Sequence, residues 1–518
     1  MRLNGKIFSI LDCTLRDGGY YTDWDFDKTL VKEYAQTMEN LPIDYIEIGY
    51  RSIPMDGYLG EYFYCPKFVM EEIKSFMPSK KLVIILNEKD IRASHVENLL
   101  KDCKPFISMV RIAIDPKNFC RAIELAKAVK KMGFEVAFNV MYMSKWKEDP
   151  SFLDELIGLE STIDYFYMVD SFGGITPAQL KEVVGLVKSK TEVPLGFHGH
   201  NNLEMALINS LEAINQGCTI IDATITGMGR GAGNLRMELL MTYLDSVEPL
   251  NLDYNELSAV VSEFEEMKKK YSWGTNLPYM FSGAYSLPQK QVMEWVGMNR
   301  YSISSILNAL RNQKEDVQDN IRLPFLEKEN LFEEAIILGG GKSAINHFQA
   351  IKKKVDKGHG ICVIHGGTKH VSLYKSLNAA QYYALAGFES EKLLKHFVPP
   401  SEVLGTCVFP PYPRKMGTVM PHSIQQVSKE LQNIEFTSTS TDSPLVLGIQ
   451  IALNLGVKRI YLAGFDGYDT TIDPIQFMLA QENQRIINDA LALEGISLIS
   501  ITATRYKNIE TKSIYSLI

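Results

Sequence analysis

The first 225 residues repeat one rhythm eight times: a short apolar run, a turn, then an interval long enough for a helix. The runs are 7–12, 45–49, 82–86, 109–114, 135–141, 165–170, 195–200 and 220–225. Helical patterns fill the intervals at 27–40, 66–76, 119–132, 177–188 and 202–216. Most runs are apolar almost throughout, as parallel strands buried on both faces must be. Eight such units are what a (β/α)8 barrel requires, with an open doubly wound sheet as the alternative. The barrel better explains why polar residues recur in or just after the strands: Arg16 and Asp17, Glu47, Asn87, Arg111, Asn139, Asp170 and Ser171, His198 and His200. In a barrel the C-terminal strand ends converge on one mouth, so groups far apart in the chain share a site.

The rhythm stops near residue 252, which places the barrel domain at 1–250. Residues 251–320 read as a helical subdomain: charged and helical at 255–270, helical again at 302–313, with an aromatic-, Gly- and Pro-rich stretch at 271–291 between. After a linker at 323–331 a second α/β unit occupies 333–518. Its strand candidates are 335–338, 361–365, 383–385, 436–438, 459–462 and 496–501, and its helices 344–354, 424–431, 444–455 and 475–493. That pattern predicts an open parallel, Rossmann-like sheet. The fold class is α/β in both parts.

A formal net charge of −8 argues against a nucleic-acid partner. Seven cysteines, scattered without a CxxC pair, fit reduced thiols in a cytoplasmic protein. No run approaches about 18 apolar residues, and no export signal is recognisable, so no membrane span is expected.

Two stretches carry chemistry. In GFHGHNN, His198 and His200 stand two apart at a strand end, so both imidazoles share one face. They are either a metal-binding pair or hydrogen-bonded core histidines. DCTLRDGGY, residues 12–20, supplies Arg16 and Asp17. A carboxylate and two imidazoles with open positions suit a hard-to-borderline divalent ion that also takes an oxygen ligand.

DCTLRDGGY, Glu47 in YIEIGY, GFHGHNN and GMGRGAGN together resemble the metal-dependent DRE-TIM lyase and synthase barrels. That superfamily includes 3-hydroxy-3-methylglutaryl-CoA lyase, isopropylmalate and homocitrate synthases, and 4-hydroxy-2-oxovalerate aldolase. The resemblance implies that Asp17, His198 and His200 ligate Mn²⁺, Mg²⁺ or Zn²⁺, with Asn234 a further ligand. It places Arg16 against the substrate oxygen, held by Glu47, although a barrel-mouth salt bridge is compatible with that role. Ser171, the Gly173–Gly174 amides and Arg111 are candidates for binding the substrate. WGTNLPYMFSGAYS, residues 273–286, resembles the segment after the barrel in 4-hydroxy-2-oxovalerate aldolases. A pyruvate aldolase is therefore expected, acting on a small 2-oxo acid and an aldehyde and assembled as a homo-oligomer. The rivals are a Claisen-type acyl-CoA enzyme and a barrel kept only for binding. Those aldolases carry a histidine base just after the Arg-Asp pair; Tyr20 stands in that neighbourhood here. A phenol, with a reference pKa of about 10, is a poor base near neutrality. Tyr285 matches a mouth tyrosine of those aldolases, or is an aromatic of the helical subdomain.

In the C-terminal unit, EEAIILGGGKSAINH reads as strand, glycine turn and helix, a geometry that offers a cradle of backbone amides to a phosphate. It is not a Walker loop, because Ile336 stands where the earlier glycine is required. STDSPLVLGIQIALNLGVKRIYLAGFDGYD, residues 440–469, resembles bacterial sialyltransferases and related nucleotide-sugar-binding domains. The resemblance implies a nucleotide pocket lined by Gly339, Gly340, Gly341, Ser443 and Asp466. A scaffold sheet is the alternative.

Overall fold

Each of the eight apolar runs of the first half forms a strand, and each pairs in parallel with the next. They are β1 (Ser9–Asp12), β2 (Tyr45–Tyr50), β3 (Lys81–Asn87), β4 (Ile107–Ile114), β5 (Glu135–Val140), β6 (Tyr165–Asp170), β7 (Leu195–Gly199) and β8 (Ile220–Ala223). In this computed structural model β8 pairs back onto β1 and closes the barrel. The structure describes residues 1–297, 303–314, 321–399, 402–412, 414, 418–468 and 474–518. They fall into two units, Met1–Met293 and Glu294–Ile518. No helix among the described residues is long and apolar enough to cross a membrane.

Strand alternation builds the barrel in layers. Leu11, Tyr45, Val83, Met109, Ala137, Tyr167 and Ile220 form one apolar cluster inside. Their neighbours Ile10, Ile46, Leu82, Val110, Val136, Phe166 and Ile221 belong to the larger core under the helices. Two residues further along the same inward face, the apolar plug gives way to Glu47, Arg111, Asn139 and Asp222, all buried. A polar layer thus lies directly on an apolar floor.

The DCTLRDGGY motif runs from the end of β1 into helix α1 (Thr14–Thr22), with Arg16 and Asp17 in its first turn. Gly18 and Gly19 mask that helix in the sequence. A Cβ at Gly18 would lie 2.5 Å from the Met228 sulfur, and one at Gly19 would lie 2.1 Å from the Trp24 indole. The Lys28–Asn40 helix (α2) follows, its N-terminus capped by Asp27. After the barrel come α3 (Tyr254–Tyr271) and α4 (Leu277–Tyr285), capped by Asp253 and Asn276. Asn202, at the end of β7, ties α4 down by donating to the Tyr279 carbonyl at 2.8 Å. The segment read as one helical subdomain is divided: α3 and α4 lie in the first unit, while helix Ile303–Lys314 lies in the second. Residues 298–302 and 315–320 of that expected subdomain lie outside the described residues.

The second unit holds an eight-stranded, all-parallel open sheet. Its strands are β9 (Glu334–Leu338), β10 (Ile361–His365), β11 (Ala380–Ala384), β12 (Thr406–Phe409), β13 (Ser428–Glu430), β14 (Arg459–Ala463), β15 (Ser497–Ser500) and β16 (Glu510–Thr511). The order β13-β12-β11-β10-β9-β14-β15-β16 reverses direction between β9 and β14. Ala335 and Ile337 enter one core with helix α6 (Pro444–Asn454) and the end of α7 (Pro474–Leu491). Ile336 and Leu338 enter the opposite core with Phe348–Lys357, labelled α5.

Two expectations fail here. Residues 424–431 are not one α-helix: 424–427 end a 3-10 helix (His422–Val427), and β13 follows. Glu430 accepts from the Leu323 amide and pairs with Arg414, so tertiary pairing overrides local propensity. Residues 436–438 form no strand: the Thr437 hydroxyl bonds Asp489 at 2.7 Å and meets Thr439, bending the chain into a turn.

Candidate active site

The polar layer of the barrel is one connected network. Arg16 donates through Nε to Glu47 Oε2 at 2.7 Å and pairs through Nη1 with Asp17. Arg111 reaches the same Glu47 oxygen at 3.2 Å, Asp222 Oδ2 at 2.6 Å and Asn139 Oδ1 at 2.7 Å. Its guanidinium also lies 4.1 Å above the Tyr167 ring. Asp222 Oδ2 accepts from His198 Nδ1 at 2.9 Å, which turns His198 Nε2 toward Asp17 Oδ2, 3.7 Å away. Asn234 Nδ2 donates to that Asp17 oxygen at 2.7 Å. Arg111, a candidate for binding the substrate, is thus wholly buried and does not line the pocket described next.

Burial alone would raise the Asp17 carboxyl, but Arg16, the two histidines and Asn234 hold it below the usual carboxylate range. Burial opposes ionisation of Asp222 too, yet Arg111 and His198 keep its carboxyl low. His200 is pushed down to about 3, first by burial and then by the charge of His198, so its ring is neutral near pH 7. Burial pushes the Cys13 thiol well up.

The donor atoms of Cys13, Asp17 and His198 all lie within 4.8 Å of one another. His200 stands edge-on to His198 with ring centres 5.1 Å apart. His200 Nδ1 and Asn234 Oδ1 are buried with no hydrogen-bond partner among the described residues. Orphaned buried acceptors beside a carboxylate and a second imidazole fit a divalent cation. Cys13 is a group the sequence reading missed. Its thiol hydrogen faces Asp17 Oδ2 and the Ala223 carbonyl, each at 3.8 Å, as a neutral neighbour.

Above these groups lies a pocket of about 220 Å³. Arg16, Asp17, Tyr20, Ser171, His198 and His200 line it, joined by Tyr50, Tyr142, Phe172 and Arg230. The Tyr20 and Tyr50 hydroxyls meet at 2.8 Å, and Arg230 stacks 4.0 Å over the Tyr20 ring. Tyr285 does not line this pocket: it stacks on Phe281 with ring centres 4.2 Å apart, and Pro288, Gln289 and Lys290 line the pocket in its place. The Gly173 and Gly174 amides are also not free for a substrate. Asp170, raised to about 6 by burial despite these bonds, accepts from both, and Ser171 alone of the three lines the pocket.

In the C-terminal unit Gly339, Gly340, Gly341, Ser443 and Asp466 do come together, in a cleft of about 840 Å³ where the strand order reverses. The expected amide cradle is closed, however. Gly339 and Gly341 donate to the carbonyls of Ala463 and Gly464, each at 2.8 Å. Asp466 accepts from the Ser343 amide at 3.0 Å and from its hydroxyl. A carboxylate of the chain therefore stands where an anion would be held.

The HMGL-like family model matches residues 7–262. A 4-hydroxy-2-oxovalerate aldolase of Carboxydothermus hydrogenoformans is 31% identical over 247 residues, 46% of this chain and 71% of that protein. An oxaloacetate decarboxylase of Mycobacterium tuberculosis is 27% identical over 236 residues, 45% of this chain and 69% of its own length. The crystal structure of the N-terminal domain of a candidate aldolase from Bacteroides vulgatus is 53% identical, with a TM-score of 0.56. It covers 58% of this chain and 100% of that one. Through its barrel half, this chain belongs to the HMGL-like family.

Proposed function

We propose that the barrel is a divalent-metal-dependent aldolase that makes or cleaves a carbon–carbon bond next to the ketone of a small 2-oxo acid such as pyruvate. The observation that carries this is the convergence of Asp17, His198 and His200 beside Arg16 in one small pocket, with Asn234 bonded to Asp17 and orphaned buried acceptors on His200 and Asn234. Those four side chains would hold the ion, which when bound supplies positive charge beside the ketone oxygen. Arg16 Nη2, without a protein partner among the described residues, is the donor left for the developing enolate oxygen. Glu47 and Asp17 fix its plane, and Arg111 buttresses Glu47 from below. The Tyr20–Tyr50 hydroxyl pair offers a hydrogen-bonded path for the proton of the aldol hydroxyl. Two relatives support the reading by their names alone: an oxaloacetate decarboxylase and a hydroxy-oxovalerate aldolase both cleave a bond whose electrons come to rest as a pyruvate enolate.

The test is exchange of pyruvate methyl protons with D₂O in the presence of Mn²⁺, combined with metal analysis and an aldehyde screen. Metal-dependent exchange is expected. Its absence, with metal bound, would leave the barrel a binding module.

For the C-terminal unit the cleft at the strand-order reversal favours a second ligand site, and a nucleotide sugar is the class we propose. Lys342, Lys369 and Arg505 bring positive charge there, and Phe465, Tyr468 and Tyr506 bring aromatic surface. Calorimetric titration with uridine and cytidine diphosphates tests it; no heat with either would leave the unit a scaffold.

A further inference from the structure

We propose that Arg230 recognises a negative group on the aldehyde partner, so that the barrel acts on aldehydes bearing a carboxylate or a phosphate. This rests on the aldolase reading above.

The buried arginines each have a carboxylate: Arg16 has Asp17 and Glu47, Arg111 has Glu47 and Asp222, and Arg414 has Glu430. Arg230 has none within ion-pair distance among the described residues, although it is half-buried and lines the same small pocket. What it has is a ring: its guanidinium lies 4.0 Å over Tyr20, whose hydroxyl is tied to Tyr50 at 2.8 Å. Stacking fixes the plane of a guanidinium while leaving its in-plane N–H fork for a carboxylate or phosphate. Asp17 is not its partner: the two are not within ion-pair distance, and the Asp17 oxygens meet Arg16 and Asn234 instead. Among the described residues Asp17 is the one carboxylate lining the pocket, and Arg16 already pairs with it and with Glu47. Arg230 therefore brings to the pocket a positive charge with no ion-pair partner among the described residues.

Position separates Arg230 from the groups assigned to the 2-oxo acid. It belongs to the loop after β8. The next residue, Gly231, donates to Tyr21 Oη at 3.0 Å, and a Cβ there would lie 2.3 Å from Gln289 Oε1. The loop is thus pinned against the segment 288–290 beyond the strand ends, whereas His198 comes from β7 itself.

The experiment uses the full chain with Mn²⁺, pyruvate and matched aldehyde pairs: succinic semialdehyde against butanal, and glyceraldehyde 3-phosphate against glyceraldehyde. The wild type should favour a charged member by about tenfold or more in kcat/KM, the worth of one charge-assisted fork. Arg230→Met should cut that ratio by about tenfold, chiefly through KM, and Arg230→Lys should keep part of it. Whichever pair shows the effect tells carboxylate from phosphate. A wild type that favours neither charged aldehyde, or a ratio unchanged in Arg230→Met, overturns the proposal. So does loss of pyruvate methyl exchange in step with aldehyde turnover, which would give Arg230 to the 2-oxo acid. If the wild type shows no exchange at all, the aldolase reading fails separately. Titration with succinate and glycerol 3-phosphate then decides: weaker binding by Arg230→Met supports an anion site, and equal binding sinks it.

Discussion

The pocket at the barrel mouth holds about 220 Å³ and the cleft of the C-terminal sheet about 840 Å³, yet the smaller space carries the unpaired chemistry. Both lie at the C-terminal ends of parallel strands, next to glycine-rich turns. In the cleft the turn amides of Gly339, Gly341 and Ser343 are bonded to the protein. At the pocket His200 Nδ1, and beside it Asn234 Oδ1, have no partner among the described residues, and Arg230 has no carboxylate among them. Size thus ranks the two spaces one way and unsatisfied polar groups rank them the other. Satisfied groups have no reason to wait for a ligand; orphaned ones do.

The contrast breaks first at the barrel. Asp17→Asn and His200→Ala should each abolish metal binding and lower turnover by on the order of 10³-fold or more. Metal content by mass spectrometry and steady-state rates check this; retained activity in either variant would remove the metal assignment. Next comes Asp222→Asn, which leaves Arg111 short of a charge and His198 without its anchor. A loss of about 3–5 kcal/mol in denaturant unfolding is expected, with metal affinity falling about 10–100-fold.

In the C-terminal unit, His365 is buried against Tyr383 and donates from Nε2 to Gln381 at 2.9 Å. Burial pushes its pKa down from 6.5 to about 4. An unfolded chain takes up that proton first, so stability is full above pH 6.5 and falls as pH drops toward about 4. The loss is about 3 kcal/mol at most. Urea melts at pH 7 and pH 5 should show it, and His365→Gln should flatten the difference. Smallest is Asp466→Ala, which unpairs Ser343 and should cost about 1–3 kcal/mol. It also sharpens the comparison: if the glycine turn is a blocked anion cradle, inorganic phosphate should bind the variant more tightly than the wild type by calorimetry.

The barrel strands were legible because burial on both faces writes a nearly continuous apolar run, and all eight runs became strands. Helix α1 was hidden by Gly18 and Gly19, whose reason is the nearness of Trp24 and Met228, a tertiary fact. β13 and β16 have three and two residues, too few for periodicity to register. In the site, Asp17, His198, His200 and Asn234 were found through motifs. Asp222 was missed although a signal existed: it stands two residues after Ile220, on the inward face of β8. Arg230 lay inside a quoted motif, but its lack of a carboxylate shows only in three dimensions. The blocked cradle was not legible either, since it depends on the turn after β14 meeting the turn after β9.

The short outer strands of the C-terminal sheet have a consequence for assembly. One border ends in Ser428–Glu430, already bridged by Phe325, and the other in Glu510–Thr511. Neither offers a neighbouring molecule a long row of free main-chain groups to template on. Among the described residues this sheet is thus guarded against growing from molecule to molecule into a fibre.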